Sequence, residues 1–85
     1  NLFMFDKLKQ LNQIRELQAK LKQEKVEVTE SGVRVLMNGE FEVLELSLNP
    51  ELDIESQTAA VKKCLNEART QIQKRLASSM AGQLF

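Results

Sequence analysis

KVEVTESGVRVLMNGEFEVLELSL, residues 25–48, is the stretch that decides the fold. It contains three short runs rich in β-branched and apolar residues, separated by Ser31-Gly32 and by Asn38-Gly39. Asn-Gly between two such runs is a strong hairpin signal, because both residues tolerate the positive φ of tight turns. The stretch therefore predicts a three-stranded antiparallel meander.

The register of the second hairpin depends on the length of its loop. A two-residue turn would pair apolar Val35 with an acid, whereas a three-residue loop over 38–40 pairs Met37 with Phe41 and Val35 with Val43. We prefer the longer loop because it gathers one apolar face. The other face then carries Leu36, Leu44, Leu46 and Leu48. A lone three-stranded sheet cannot bury both faces, so another element or another chain must cover them.

A helix is predicted over residues 5–24, which are rich in Leu, Lys, Gln and Glu and contain no Gly or Pro. Asp6 is the expected N-cap or first-turn acid. Apolar residues recur every three or four positions and cover about half the helix circumference: Leu8, Leu11, Ile14, Leu17 and Leu21. So broad a stripe suits a helix that contacts both its own sheet and a second chain.

A second helix is predicted over residues 55–80. Asn49-Pro50 ends the third strand, since proline cannot continue a ladder, and Asp53 or Ser56 is the expected cap. We expect Leu52 and Ile54 to pack back on the core and Gly82 to stop the helix. The apolar stripe is Val61, Leu65, Ala68, Ile72 and Leu76, with Cys64 beside it.

The predicted architecture is α-β-β-β-α, an α+β fold with a three-stranded antiparallel sheet between two helices. It forms one domain over residues 4–82, with a short tail at 83–85. A chain of 85 residues buries a small core, and oligomerisation is the usual remedy. The single cysteine, Cys64, cannot form an intrachain disulfide, which favours a reducing, cytoplasmic setting and a buried thiol. No run is long and apolar enough for a membrane span, and no signal peptide is expected.

Charge is segregated along the chain although the formal net charge is zero. Residues 5–24 hold five bases and three acids, and residues 55–80 hold five bases and two acids, so these segments carry net charges of +2 and +3. Residues 25–54 hold two bases and seven acids, a net charge of −5. This separation of basic helices from an acidic sheet indicates that charge helps to select the partner of the protein.

Catalysis is not expected, because the inventory of side chains is poor. The chain has no His, Tyr or Trp and one Cys, so the commonest general base and the usual thiol dyad are missing. No Gly-rich phosphate loop and no zinc-spaced cysteines occur. We predict no enzyme activity, no cofactor, no metal and no small-molecule substrate.

The ordered set of motifs resembles the YbaB/EbfC family of bacterial nucleoid-associated proteins. The matching pieces are Gly32-Val33-Arg34-Val35, Asn38-Gly39, Asn49-Pro50 and Cys64-Leu65-Asn66-Glu67-Ala68, after a start at Met4-Phe5. The tail is shorter in Gly and Met than the family pattern, and Cys64 stands where alanine is usual. The resemblance implies a tweezer-like homodimer, with helical arms projecting from a joined β core, that binds DNA.

Duplex DNA and a second copy of the chain are the predicted partners, in the cytoplasm and at the nucleoid, with no role for a membrane. Basic residues on the helices are the expected phosphate contacts, with weak sequence preference: Lys7, Lys9, Arg15, Lys20, Lys22, Lys62, Lys63, Arg69, Lys74 and Arg75. The alternative is a protein-interaction or prefoldin-like chaperone module without DNA binding. A prefoldin-like subunit would need much longer helices, and an adaptor would use the Leu/Gln helix to pair with another helix.

Overall fold

Two helices flank a three-stranded meander in the computed structural model, which describes the backbone of residues 2–84 and the side chains of residues 5–79. The elements are α1 Leu2–Gln23, β1 Lys25–Glu30, β2 Val33–Asn38, β3 Val43–Ser47 and α2 Ile54–Leu84. The sheet order is β1-β2-β3, with both pairs antiparallel. The predicted α-β-β-β-α arrangement is confirmed.

The first hairpin turns at Ser31-Gly32, as predicted. These two residues have φ of 52° and 82°, and positive φ at both central residues matches the right-handed twist of the flanking strands. The ladder pairs Val26 with Met37 and Val28 with Val35. Residues that pair across a ladder share a face, so the apolar residues of β1 and β2 lie on one side of the sheet.

The predicted register of the second hairpin is wrong. Met37 pairs with Val43 and Val35 pairs with Leu46, with a bulge between the two pairs. The extra residue on β3 reverses the alternation of side chains, so Leu46 shares a face with Val35 instead of lying on the opposite face. A prediction from an unbroken alternation of side chains cannot anticipate a bulge.

The loop of this hairpin is organised by Asn38, which is buried with 4% exposure. Its Oδ1 accepts hydrogen bonds from the backbone N–H groups of Glu40 and Glu42, at 2.9 and 3.1 Å. In this loop the residue with a positive φ is Phe41 (64°), and Gly39 does not have one. Gly39 is required for another reason: a Cβ there would collide with the carbonyl of Leu21, at the end of α1.

The core lies between α2 and the sheet, where α2 packs on β1 and β2. The sheet contributes Val26, Val33, Val35 and Met37, and the helix contributes Ala60, Cys64, Ala68 and Ile72. The side of α2 that faces the sheet therefore differs from the predicted stripe by a rotation toward smaller side chains. Val61, Leu65 and Leu76 of that stripe are partly buried at its margin. Small residues on the sheet-facing side let the helix approach the strands closely, and the larger ones fill the shoulder.

Cys64 is fully buried, as predicted. Its Sγ–H donates to the Val33 carbonyl at 3.5 Å, and burial raises the pKa of the thiol. A protonated, enclosed thiol is a packing residue and not a nucleophile.

Helix ends agree only partly with the predictions. Asp53 is confirmed as the cap of α2, since its Oδ1 accepts the Ser56 N–H at 2.7 Å. The prediction for Asp6 is wrong, because α1 begins at Leu2 and has no acid in its first turn. Gly82 does not stop α2, which runs to Leu84. One glycine costs about 1 kcal/mol relative to alanine, which a long helix tolerates.

α1 contacts the rest of the protein mainly near its C-terminal end, where it meets β2. Leu21 is half-buried, but the other apolar residues of the predicted stripe are exposed: Leu8, Leu11, Ile14 and Leu17. Leu52 packs on the core as expected, whereas Ile54 is 85% exposed and the prediction for it is wrong. The molecule is elongated: it measures 63 × 22 × 16 Å, and its radius of gyration is 17.7 Å, against about 12 Å for a compact chain of this length.

The cap of α2 gives a pH-dependent prediction. Hydrogen bonds from Ser56 lower the pKa of Asp53, so the charged cap adds stability above the ordinary aspartate pKa and loses it as pH falls through the lower folded-state pKa. We expect Asp53→Asn to lower the melting temperature at neutral pH and to match the wild type at a strongly acidic pH, below that lowered folded-state pKa. Thermal unfolding at both pH values measures this. A gap of equal size at both would contradict it.

The contact between Gly39 and α1 gives a second prediction. Gly39→Ala should lower the free energy of unfolding by about 1–3 kcal/mol, because the added Cβ forces α1 away from the hairpin. Urea denaturation measures it. Gly82→Ala, inside α2, is the control and should preserve or raise stability. Equal stability of the wild type and Gly39→Ala would contradict this prediction, because the contact between α1 and the hairpin would then accommodate the added Cβ.

Candidate nucleic-acid interface

The outward surface of α2 is basic. At about 100° per residue, the sides of the helix away from the core carry Lys62 and Arg69 on one flank and Lys63 and Lys74 on the other, all of them exposed. Glu67 is the one acid of α2 between residues 56 and 79, and its carboxylate accepts a hydrogen bond from Gln71. From Lys62 to Lys74 these bases extend about 18 Å along the helix axis. This length of positive surface can face several phosphates of one duplex.

The predicted basic residues of α1 are also exposed, and they surround the helix: Lys7, Lys9, Arg15, Lys20 and Lys22. Lys9 and Lys20 are eleven residues apart and share one side of the helix, because eleven residues are close to three full turns. Within residues 5–79, none of these five bases forms an ion pair. They are available to an external anion.

Two of the predicted bases on α2 are engaged within the protein. Lys63 Nζ lies 3.1 Å from a carboxylate oxygen of Glu30 on β1. Arg75 Nη1 donates to the carboxylate of Glu24 at 3.2 Å and to the backbone carbonyl of Lys25 at 3.0 Å. Arg75 is thus directed toward the end of α1 and not toward the outward surface of α2.

The face of the sheet away from α2 is polar, and its charged network stays net negative because one arginine is shared between two acids. Arg34 on β2 holds both oxygens of Glu27, at 2.9 and 3.2 Å, and donates to Glu45 at 2.7 Å. Its hydrogen bonds and charge lower the pKa of Glu27, and the two carboxylates raise the pKa of Arg34 above its ordinary value. The clamp joins all three strands and leaves this face unsuited to a polyanion.

β3 is an edge strand with large apolar side chains that are half-exposed: Phe41, Val43, Leu44, Leu46 and Leu48, counting the residues that flank the strand. Val43 and Leu46 lie on the same side of the sheet as α2, beyond the two strands that the helix covers. An uncovered edge with this composition marks an interaction surface.

An open groove of about 620 Å³ separates the C-terminal half of α1 from α2. Leu17, Leu21, Ile72 and Leu76 line it, with Lys20 and Arg75 among its polar residues. Within the described residues, no cluster of three or more Cys, Asp or Glu side chains could hold a metal ion. Across residues 2–84, neither helix combines the length and the apolar character needed to cross a membrane.

The comparison with protein families supplies the decisive match. The model of the YbaB/EbfC DNA-binding family matches residues 3–84. The chain belongs to this family. No match was found among curated proteins or among solved structures. The YbaB/EbfC match spans both basic helices and the acidic sheet, so DNA is the partner class that the whole domain supports.

Sequence reasoning locates the bases of this YbaB/EbfC domain but misses several residues that position them. The pattern marks Asn38 only as a turn residue, although its buried side chain organises the loop. It marks Asn49 only as a strand end, yet the Asn49 Nδ2 donates to the Ser31 carbonyl at 2.9 Å and joins the approach to α2 to the first hairpin. The sequence does indicate that Arg75 lies near the sheet, because it follows Ala68 by seven residues and that spacing returns to the same side of a helix.

Proposed function

We propose that the protein binds duplex DNA as a homodimer, mainly through phosphate contacts from its basic helices and with weak sequence preference. The family match supports DNA as the partner, and the exposed bases along α2 are the observation that carries the mechanism. Lysines supply point charges, and arginines can fork onto two phosphate oxygens. The proposed contacts are Lys7, Lys9, Arg15, Lys20, Lys22, Lys62, Lys63, Arg69 and Lys74.

Weak sequence preference is proposed because the arrangement favours the DNA backbone over base edges. The outward surface of α2 carries one Asn and one Arg, Asn66 and Arg69, and its other bases are lysines, which act on phosphates as point charges. Phosphate contacts fix position without reading sequence. The acidic sheet repels DNA, which confines contact to the helices. The site of action would be the nucleoid, in the cytoplasm.

A second copy of the chain is the occupant that we propose for the exposed face of β3. The edge of β3 has no partner strand in the described chain, and a two-fold axis would let two copies pair β3 with β3 in an antiparallel manner. Val43 and Leu46 would then pack against their equivalents. Such a joined sheet would place two sets of basic helices on one particle and double the number of phosphate contacts.

The DNA contact can be tested by removing single charges. Lys62→Gln should weaken binding to a labelled random duplex, and it should flatten the slope of log K against log salt by about 0.9 for each phosphate that is no longer neutralised. Fluorescence anisotropy at several salt concentrations, with single-stranded RNA as competitor, measures this. Lys25→Gln is the matched control, because Lys25 is an exposed base outside the proposed surface. If the two substitutions weaken binding equally, the effect of Lys62→Gln comes from overall charge and not from a phosphate contact at Lys62.

The dimer can be tested at β3. Leu46 is 48% exposed, and burying the remaining surface of both copies contributes about 1.5–3 kcal/mol. Leu46→Lys should therefore weaken dimerisation by about 10- to 100-fold or more, as measured by sedimentation equilibrium. Ile54→Lys is the control, since Ile54 is more exposed and lies on α2. A monomeric wild type, or an unaffected Leu46→Lys dimer, would reject this interface.

A further inference from the structure

Arg75 occupies a position on α2 that distinguishes it from the other predicted bases. It follows Ala68 by seven residues and Ile72 by three, and both of these residues are buried against the sheet. The sheet-facing side of α2 thus ends in a guanidinium, at the point where the strands end. There Nη1 donates to the Lys25 carbonyl at 3.0 Å and to the Glu24 carboxylate at 3.2 Å.

The same short segment forms the joint between α1 and the sheet. The Gly39 N–H is shared between the carbonyls of Leu21 and Glu24, at 2.9 and 3.0 Å. The Glu24 N–H donates to the Lys20 carbonyl at 3.1 Å. From Phe5 to Leu17 the large apolar side chains of α1 are exposed. Along that part of the helix they therefore do not hold α1 in a fixed direction, and the joint must do so.

We propose that Arg75 is a positioning residue, which holds α1 at a fixed angle to α2, and not a phosphate contact. This inference rests on the proposed function, because it assigns the bases of α1 and of the outward α2 surface to DNA and removes Arg75 from that set. A phosphate could reach Arg75 only by displacing it from both the Glu24 carboxylate and the Lys25 carbonyl, whereas Lys63 contacts a single acid. The fork of arginine can span a carbonyl and a carboxylate together, which lysine cannot do.

The two roles of Arg75 predict different effects of Glu24→Gln on DNA affinity. If Arg75 contacts phosphate, removal of the competing acid strengthens DNA binding beyond the general effect of removing a negative charge. If Arg75 positions α1, Glu24→Gln loosens the joint and gains nothing beyond that general effect. Glu51→Gln is the control for the general effect, because Glu51 is exposed and forms no ion pair within residues 5–79.

The first experiment needs no DNA. Hydrogen exchange at the Gly39 and Glu24 amides reports opening of the joint, and half-exposed ion pairs of this kind shift such equilibria by about 1.4- to 5-fold. We expect Arg75→Gln to accelerate exchange by about 2- to 5-fold, Glu24→Gln to accelerate it less, and the double variant to match Arg75→Gln. Lys63→Gln should leave both amides unchanged. Unchanged exchange in Arg75→Gln would overturn the proposal.

The second experiment is DNA binding across a range of salt concentrations. Arg75→Gln and Arg75→Lys should both lower affinity while keeping the wild-type salt slope, because the number of phosphate contacts is unchanged. A slope flattened by about 0.9 or more in Arg75→Gln, restored in Arg75→Lys, would instead make Arg75 a phosphate contact. A wild type that binds no DNA would reject the proposed function, while the exchange result would still decide whether Arg75 holds the joint.

Discussion

The close packing of α2 on β1 and β2 is the interaction on which the other features depend. Ala60, Cys64 and Ala68 face the sheet, and their small side chains bring the helix close to Val33 and Val35. A helix is about 10 Å wide and strands lie about 4.8 Å apart, so one helix covers two strands. The third strand is therefore left uncovered by geometry. The same packing fixes the rotation of α2 and directs its lysines outward.

The bulge in the second hairpin decides what the uncovered strand presents. Without it, an unbroken alternation would put Leu46 on the polar side of the sheet, next to the Arg34 clamp. With it, Val43 and Leu46 both lie on the side that carries α2. Apolar surface is thus gathered on one face of β3 while Glu45 remains with Arg34 on the other. The bulge therefore gives β3 one apolar face that a second copy could cover and one charged face that suits contact with water.

Much of the fold could be predicted from the sequence because its signals are local. The turn at Ser31-Gly32 and the cap at Asp53 depend on residues a few positions apart, and both are confirmed. The bulge opposite Leu36 and Met37 has no such signal: Leu44 adds one residue to β3 and interrupts the alternation that a pattern assumes. The rotation of α2 also escaped prediction. A hydrophobicity pattern ranks Leu65 above Ala60, whereas close packing favours the smaller side chain at the centre of the contact.

For the candidate site, composition indicated which residues are basic but not which are already paired. A net charge of zero argues against a nucleic-acid partner only if charge is spread evenly over the surface. Here Arg34 pairs with two acids of the sheet, and Lys63 and Arg75 each take one more. These pairs engage positive side chains near the sheet, whereas the bases of α1, and Lys62, Arg69 and Lys74 on α2, form no ion pair within residues 5–79. In the proposed complex, the electrostatic potential that a duplex meets is set by the helices, and the acidic sheet would orient the protein by repelling the phosphate backbone.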